Sequence, residues 1–178
     1  MIALLVIDMQ KALFEGSSKR YDSKGVIKRV NTLIEKARKK GIPIFFIQHN
    51  GSEDDDLLPK SNGWQILEGI DYRKGDKTID KKCCDSFCHT DLESALRKVH
   101  ADKLIITGCC TDFCIDTTVR QAASKGYEVI VAADAHTTAD KPYLDAKIII
   151  EHHNFVWAEF YSAAKVEVIK TENILNLL

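Results

Sequence analysis

Short runs of apolar residues, each bounded by polar or turn-forming residues, recur along the whole chain. Continuous runs rich in Ile and Val are typical of strands that are covered on both faces, as in a parallel sheet. The runs predict the following strands, of which the third has the weakest pattern: Ile2–Ile7, Ile42–Ile47, Thr78–Ile79, Leu104–Thr107, Glu128–Ala132 and Val166–Ile169.

Segments with helical spacing of apolar residues lie between these runs. The helix predicted over Gly25–Lys40 is followed by Gly41, a stop signal, and the next helix starts with Thr90 and Glu93 at the spacing of a capping box. That helix is predicted over Thr90–His100, and two further helices are predicted over Phe113–Lys125 and Tyr143–Asn154. Regular alternation of strands and helices predicts a doubly wound, Rossmann-like α/β fold, and 178 residues are most simply one domain, residues 1–178.

Composition and charge exclude several classes of function. The chain has 25 basic and 26 acidic residues, a formal charge of −1 and no long basic run, so neither nucleic-acid nor membrane-surface binding is expected. The apolar opening Met1–Ile7 runs straight into Asp8, without the features of a signal peptide, and no stretch approaches the roughly 20 apolar residues of a membrane span. We therefore expect a cytoplasmic protein with its six cysteines reduced.

Polar residues follow several of the predicted strands. Asp8 follows the first strand, His49 the second, Lys81 the third, and Cys110 and Cys114 the fourth. Sheets of this class bind ligands beyond the carboxyl ends of their strands, which predicts a site at this edge. The polar, Gly-containing stretch from residue 50 to residue 76 is expected to be a long loop that covers the site.

Cys114 lies where a strand pattern turns abruptly into a helix pattern. Unpaired N–H groups and the positive end of the helix dipole favour the thiolate at such a turn. In this hypothesis Cys114 attacks a carbonyl carbon, Asp8 transfers the proton and Lys81 holds both groups by its charge, while the N–H groups of Cys110 and Cys114 stabilise the oxyanion. Taken singly, each residue has a structural explanation: a turn-forming Asp, a solvated Lys and a small buried Cys.

Further residues are candidates for the lining of a substrate pocket. His49, Trp64 and Phe87 are predicted to bind substrate, with the Trp64 indole closing over a small planar molecule or, alternatively, anchoring its loop on the core. His136 after the fifth strand is expected to be a buried, hydrogen-bonded histidine. Arg120 is expected to lie on a helix away from the pocket.

Three motifs carry a resemblance to a known family: Leu4–Gln10, Ile79–Lys81 with Ser86 and Phe87 following, and Gly108–Cys114. With them the chain resembles the isochorismatase-like cysteine hydrolases, which include nicotinamidases, carbamoylsarcosine amidases and isochorismatases. The resemblance implies a six-stranded parallel sheet with helices on both faces, in three α/β/α layers, and a homodimer or larger homo-oligomer. It also implies an Asp8–Lys81–Cys114 triad that acts through a thioester, and a cis peptide bond between Cys109 and Cys110.

The sequence also departs from the nicotinamidase pattern. Nicotinamidases carry a metal site with an Asp-x-His pair after the second strand, whereas Phe46–Asn50 lacks that Asp. A zinc site at Cys84, Cys88, Cys110 and Cys114 is disfavoured because the second pair spans the predicted nucleophile turn.

These observations predict a metal-independent enzyme without a cofactor that cleaves a C–N bond of a small amide or ureido substrate. The alternatives are a vinyl ether hydrolase of the isochorismatase type, against which the presence of Cys114 argues, and a catalytically idle or redox-responsive thiol protein. A structural or interaction protein that reuses the fold is a further alternative.

Overall fold

A parallel sheet forms the centre of the protein. The computed structural model describes residues 1–16 and 18–178, and within them six strands pair in the order β3-β2-β1-β4-β5-β6, all parallel. The strands are β1 (Ile2–Ile7), β2 (Ile44–His49), β3 (Lys77–Lys81), β4 (Lys103–Cys109), β5 (Glu128–Thr137) and β6 (Val166–Ile169). The predicted doubly wound sheet is confirmed.

Strand β1 shows why the apolar runs are continuous. Its residues alternate between two hydrophobic clusters, with Leu5 and Ile7 in the cluster on one face and Leu4 and Val6 in the cluster on the other. All four are at most 1% exposed. Because helices cover both faces, neither set of side chains is left for water, and the strand needs no polar positions.

The helices divide between the two faces of the sheet and complete three layers. Their bounds are α1 (Lys11–Glu15), α2 (Ser23–Lys39), α3 (Leu92–Lys98), α4 (Asp116–Ser124), α5 (Ala146–Glu159) and α6 (Thr171–Leu177). Buried residues of α2 and α6 pack in one cluster, and those of α3, α4 and the α5 residue Trp157 pack in the other. None of the helices in residues 1–16 and 18–178 combines the length and apolar character needed to cross a membrane.

Several helix boundaries differ from the prediction. The segment predicted as one helix from Phe113 begins as a π-helical turn, Thr111–Ile115, before α4 continues it. The reciprocal capping box is not formed: α3 begins after Asp91, and the Glu93 carboxylate accepts from Arg97 and Lys125. The Thr90 hydroxyl donates to the Ser86 carbonyl and accepts the Leu92 N–H at 3.3 Å, so it satisfies one N–H group at the start of the helix. The short helices α1 and α6 carry too few turns to give a recognisable period in the sequence.

Gly41 ends α2 as predicted. Its φ is +67°, a left-handed conformation that costs glycine little. Its N–H donates to the Arg38 carbonyl, and the N–H of Ile42 donates to the Ala37 carbonyl. These two bonds satisfy carbonyls at the helix end and direct the chain into β2.

Candidate active site

The carboxyl ends of four neighbouring strands bring the candidate residues together. Asp8 follows β1, His49 and Lys81 end β2 and β3, and Cys109 ends β4. His49 and Lys81 are direct partners in the strand register. A parallel sheet places these ends at one edge, so residues far apart in sequence meet there.

Lys81 is the centre of the site. Its Nζ lies 2.7 Å from Asp8 Oδ2, donates to Cys114 Sγ at 3.1 Å and lies 3.2 Å from His49 Nδ1. The side chains of Lys81 and Asp8 are 0% and 1% exposed. The three residues expected to form a triad are therefore in contact through one buried ammonium group.

The backbone around Asp8 is shaped by close approach of β1 and β4. Asp8 has a φ of +49°, and its N–H donates to the Ile47 carbonyl. Gly108 has a φ of +126°, and a Cβ on it would lie 2.0 Å from the Ile7 carbonyl oxygen, so the two strand ends meet here only because residue 108 is glycine.

The turn that carries Cys114 follows at once. The Cys109–Cys110 peptide bond is cis, as the resemblance implies. Cys110 then leads into the π-helical turn, whose Phe113 and Ile115 N–H groups both donate to the Cys110 carbonyl. Cys114 lies inside this turn, beside Lys81, instead of at the first residue of a long helix.

The charges of the site differ from the expectation of a resting thiolate. Burial raises the pKa of Cys114 well above that of a free thiol, and the negative charge of Asp8 raises it further against the opposing charge of Lys81. Burial acts to lower the pKa of Lys81, but the attraction of Asp8 and the hydrogen bonds to Asp8 and Cys114 outweigh it, so the pKa is raised. The resting site is therefore an Asp8 carboxylate, a Lys81 ammonium and a Cys114 thiol.

Asp8 keeps an oxygen available for a proton. Its Oδ1 is buried and has no hydrogen-bond partner among residues 1–16 and 18–178. A carboxylate oxygen of Asp8, a ring nitrogen of His49 and the sulfur of Cys114 lie within 4.8 Å of one another. An unsatisfied carboxylate this close to a thiol is placed to accept its proton.

His49 is neutral in this environment. Burial lowers its pKa, and the neighbouring charge of Lys81 lowers it further. Because the Lys81 ammonium can only donate, His49 Nδ1 accepts and the ring proton is on Nε2. His49 lines the same pocket as Cys114, so it offers an N–H donor there.

Asp8, His49 and Cys114 are also the types of residue that ligate metal ions. Their ligand atoms are close enough to share an ion. However, the Lys81 ammonium contacts all three side chains at 2.7 to 3.2 Å, so it already supplies the positive charge of this cluster. A divalent ion would have to share the ligands with this buried cation, which Coulomb repulsion opposes.

A pocket of about 590 Å³ opens beside the sulfur of Cys114. Besides Asp8, His49, Cys110 and Cys114, its lining includes these residues that the sequence analysis did not assign to the site: Leu13, Ser18, Arg20, Asp55, Leu57, Cys84, Phe113, Ala139, Asp140 and Lys141. Asp55 and Leu57 come from the segment expected to cover the site, which therefore does form part of its wall.

Trp64 and Phe87 do not line this pocket. The Trp64 indole N–H donates to Asn50 Oδ1 at 2.7 Å, and the Trp64 carbonyl accepts from the side-chain amides of Gln10 and Gln48, so this residue anchors its loop. Phe87 is buried in the core, where its ring stacks on Tyr127 with centroids 5.8 Å apart. Of the three predicted substrate-binding residues, the structure brings only His49 to the pocket.

Two other buried polar side chains, Gln10 and His136, lie outside the pocket lining and form hydrogen bonds to segments of the site. Buried Gln10 donates to the His49 carbonyl and accepts from the His49 N–H, which fixes the end of β2. His136 is buried as expected, with its nitrogens bonded to Thr111 and Asn154, and burial lowers its pKa to about 4. The Leu4–Gln10 motif contains Gln10, but nothing local in the sequence indicates its partners.

Comparison with known proteins identifies relatives over nearly the whole chain. The isochorismatase domain model matches residues 2–164. Nicotinamidase 3 of Arabidopsis thaliana is 32% identical over 161 residues, covering 83% of this chain and 78% of its own. The uncharacterized isochorismatase family protein YddQ of Bacillus subtilis is 29% identical over 177 residues, 98% of each chain. The crystal structure of an isochorismatase family protein, 32% identical, superposes with a TM-score of 0.87 over 95% of this chain and 98% of its own.

Proposed function

Because the chain belongs to the isochorismatase family of hydrolases, we propose that it is a metal-independent cysteine hydrolase that cleaves a C–N bond of a small amide or ureido compound. The observation that carries this proposal is the pair of contacts that Lys81 makes, at 2.7 Å to Asp8 and 3.1 Å to Cys114, at the wall of one pocket. A nucleophile, a base and the cation that holds them are the parts that acyl transfer to a thiol requires.

The first step is attack on the carbonyl carbon. The Cys114 thiol passes its proton to the Asp8 carboxylate as the S–C bond forms, and the carbonyl π electrons move to oxygen. Since the resting pKa of Cys114 is raised by burial and by Asp8, free thiolate is scarce and proton transfer must accompany attack. Lys81 stays protonated and stabilises the partial negative charge on sulfur during proton transfer, before that charge passes to the carbonyl oxygen.

The second step breaks the C–N bond. The tetrahedral intermediate collapses, protonated Asp8 gives its proton to the departing nitrogen, and the products are ammonia or an amine and a Cys114 thioester. A water molecule then attacks the thioester with Asp8 as base, and the proton returns to sulfur as the acid leaves. Asp8 therefore serves as base, then as acid, and then as base again when water attacks the thioester.

The oxyanion of both intermediates needs hydrogen-bond donors. Backbone N–H groups of Cys110 and Cys114 are our candidates, because Cys110 directly precedes the π-helical turn, Cys114 lies within it, and both residues line the pocket. Removing one donor of this kind typically costs about 2.7–4 kcal/mol of transition-state stabilisation. His49 Nε2–H is the candidate donor for the part of the substrate beyond the carbonyl.

The choice of an amide or ureido substrate is supported by relatives and by the base. A relative at 32% identity is named a nicotinamidase. An amide has a poor leaving group and requires an acid that protonates the departing nitrogen. The carboxylate of Asp8 within 4.8 Å of the Cys114 sulfur supports this role for Asp8. The pocket of about 590 Å³ suits a small molecule.

The experiment is a screen for ammonia release from small primary amides and ureido compounds. The native protein is compared with Cys114→Ala and with Cys84→Ala, which removes another thiol of the same pocket. We expect turnover by the native protein and by Cys84→Ala, and none by Cys114→Ala. Hydrolysis by Cys114→Ala at the native rate would overturn the covalent mechanism. Activity on vinyl ethers but on no amide would support the alternative of an isochorismatase-type reaction.

A further inference from the structure

Arg20 lines the same pocket as Cys114, and its guanidinium has no acidic partner. Its Nε is buried without a hydrogen-bond partner among residues 1–16 and 18–178. In the same described residues, no ion pair or side-chain hydrogen bond involves Arg20. Arg20 as a whole is half-buried, but its Nε–H is shielded from water and has no acceptor. A buried donor without a partner is costly, so we expect a ligand to complete the contacts of Arg20 at this pocket wall.

The backbone holds Arg20 in place. Arg20 forms an antiparallel bridge with Ala139, and the next residue, Tyr21, donates its N–H to the Thr138 carbonyl. The Thr137 hydroxyl donates to the Tyr21 carbonyl at 2.6 Å. These contacts fix the segment against the end of β5, so Arg20 is positioned before any ligand binds.

Other charged groups of the pocket are already matched. Asp8 pairs with Lys81, and Lys141 pairs with Asp112 at 3.0 Å. Asp55 Oδ1 accepts two backbone N–H groups of its own turn, at 2.8 and 3.0 Å, and Asp140 Oδ1 accepts the Ala146 N–H at 2.8 Å. Arg20 is thus the pocket cation whose charge the described residues leave without a partner.

We propose that Arg20 binds a carboxylate of the substrate. The guanidinium offers parallel N–H donors whose spacing matches a carboxylate, and Arg is favoured over Lys for that two-point contact. This assignment of Arg20 rests on the proposed function. It narrows the substrate class to small amide or ureido acids, with the C–N bond at Cys114 and the carboxylate at Arg20. Asp55 and Asp140, whose Oδ1 atoms accept only backbone N–H groups, add negative charge to the pocket, so Arg20 also offsets their repulsion of an anion.

A pair of alkylating reagents tests anion recognition without knowledge of the substrate. Iodoacetate and iodoacetamide deliver the same carbon to a thiol and differ by a carboxylate. Peptide mass spectrometry gives the rate at which each reagent alkylates Cys114. The iodoacetate rate is divided by the iodoacetamide rate, and this ratio is then divided by the same ratio for N-acetylcysteine. We expect this normalised ratio to exceed 10 in the native protein. We also expect the rate of Cys114 alkylation to saturate as the iodoacetate concentration rises.

Matched variants assign the preference to Arg20. In Arg20→Gln the normalised ratio is expected to fall to within threefold of unity while the iodoacetamide rate stays within threefold of native. Arg97→Gln, which changes an exposed arginine on α3 with a side chain 75% exposed, is expected to keep the native ratio. A native ratio near unity, or a ratio unchanged in Arg20→Gln, would overturn the proposal. Circular dichroism verifies that both variants are folded.

Binding without catalysis separates this inference from the proposed function. In the Cys114→Ala background, titration calorimetry compares N-carbamoylglycine with its neutral amide, N-carbamoylglycinamide. We expect the acid to bind at least tenfold more tightly, and Arg20→Gln to remove that difference. Equal binding of the acid and the amide overturns the Arg20 assignment even if Cys114 hydrolyses amides. An acid preference that depends on Arg20 upholds it even if Cys114 proves inert.

Discussion

Lys81 and Asp8 form a buried ion pair, with Nζ 2.7 Å from Oδ2 and both side chains shielded from solvent. Their residues lie at the ends of β3 and β1, which are separated in the sheet by β2. The pair therefore ties three strand ends together at the site, and its loss has consequences for stability as well as for catalysis.

Removing one partner of this pair leaves the other charge buried and uncompensated. Lys81→Met is expected to lower the free energy of unfolding by about 3–5 kcal/mol, measured by urea denaturation at neutral pH. The double variant Asp8→Asn/Lys81→Met has no stranded charge and should recover most of that loss while remaining inactive. A single variant within 1 kcal/mol of the native protein would contradict the buried pair.

Asp8 raises the pKa of Cys114. Replacing it by Asn removes the negative charge, so alkylation of Cys114 by iodoacetamide should rise at a lower pH in Asp8→Asn than in the native protein. Lys81→Met removes the charge that favours the thiolate and should move the profile to higher pH. Rates are measured at each cysteine by peptide mass spectrometry, and the profile of Cys88 serves as the internal control. Equal Cys114 profiles in all three proteins would show that the charges do not act on the thiol.

His136 makes the protein sensitive to acid. Burial lowers its pKa from 6.5 to about 4 in the folded state, so the unfolded chain takes up a proton first as pH falls. Its contribution to stability is intact above pH 6.5 and is lost between pH 6.5 and 4, a loss of roughly 3 kcal/mol. Urea unfolding at pH 7.5 and pH 4.5 should show a smaller difference for His136→Gln than for the native protein. Replacement of the exposed His89 by Gln should leave the native difference unchanged.

The fold and the meeting of Asp8, Lys81 and Cys114 at one edge of the sheet follow from the sequence because each has a local signal. Continuous apolar runs predict β1 and β4, and polar residues directly after them predict that Asp8 and Cys114 meet at one edge. Boundaries are less predictable: the apolar pattern of β5 ends at Ala132, whereas the strand extends to Thr137 because pairing with β4 resumes after an irregularity near Gly108.

The pocket wall is where sequence reasoning fails. Arg20 lies in a polar segment without a period, and only its pairing with the distant Ala139 places it near Cys114. Trp64, a lone aromatic residue in a polar loop, has both a substrate-binding and a loop-anchoring interpretation, and its hydrogen bond to Asn50 agrees with the second. Phe87 is predicted to line the pocket, but core packing buries it against Tyr127. Such contacts join residues that are far apart in the chain, so the local sequence around each residue does not predict them.

A substitution at Gly108 tests the close approach of β1 and β4. Gly108→Ala adds a Cβ 2.0 Å from the Ile7 carbonyl oxygen at a positive φ, so it should destabilise the fold and displace Asp8, with a large loss of activity. Gly75→Ala is the matched control, because its φ is also positive but nothing lies within 4 Å of the added Cβ. The control should lose only about 1–2 kcal/mol of stability, from the left-handed conformation alone. Equal losses of stability in urea unfolding would contradict the collision.

The most direct test of the proposed mechanism is a search for the thioester on Cys114. The best substrate from the ammonia-release screen is mixed with the native protein, quenched in acid within milliseconds to seconds, and the peptides are mapped by mass spectrometry. We predict an acyl group on Cys114 that appears before steady state, is absent from the other cysteines and is released by hydroxylamine as the hydroxamate. Turnover with no acyl group on Cys114, together with full activity of Cys114→Ala, would contradict the mechanism.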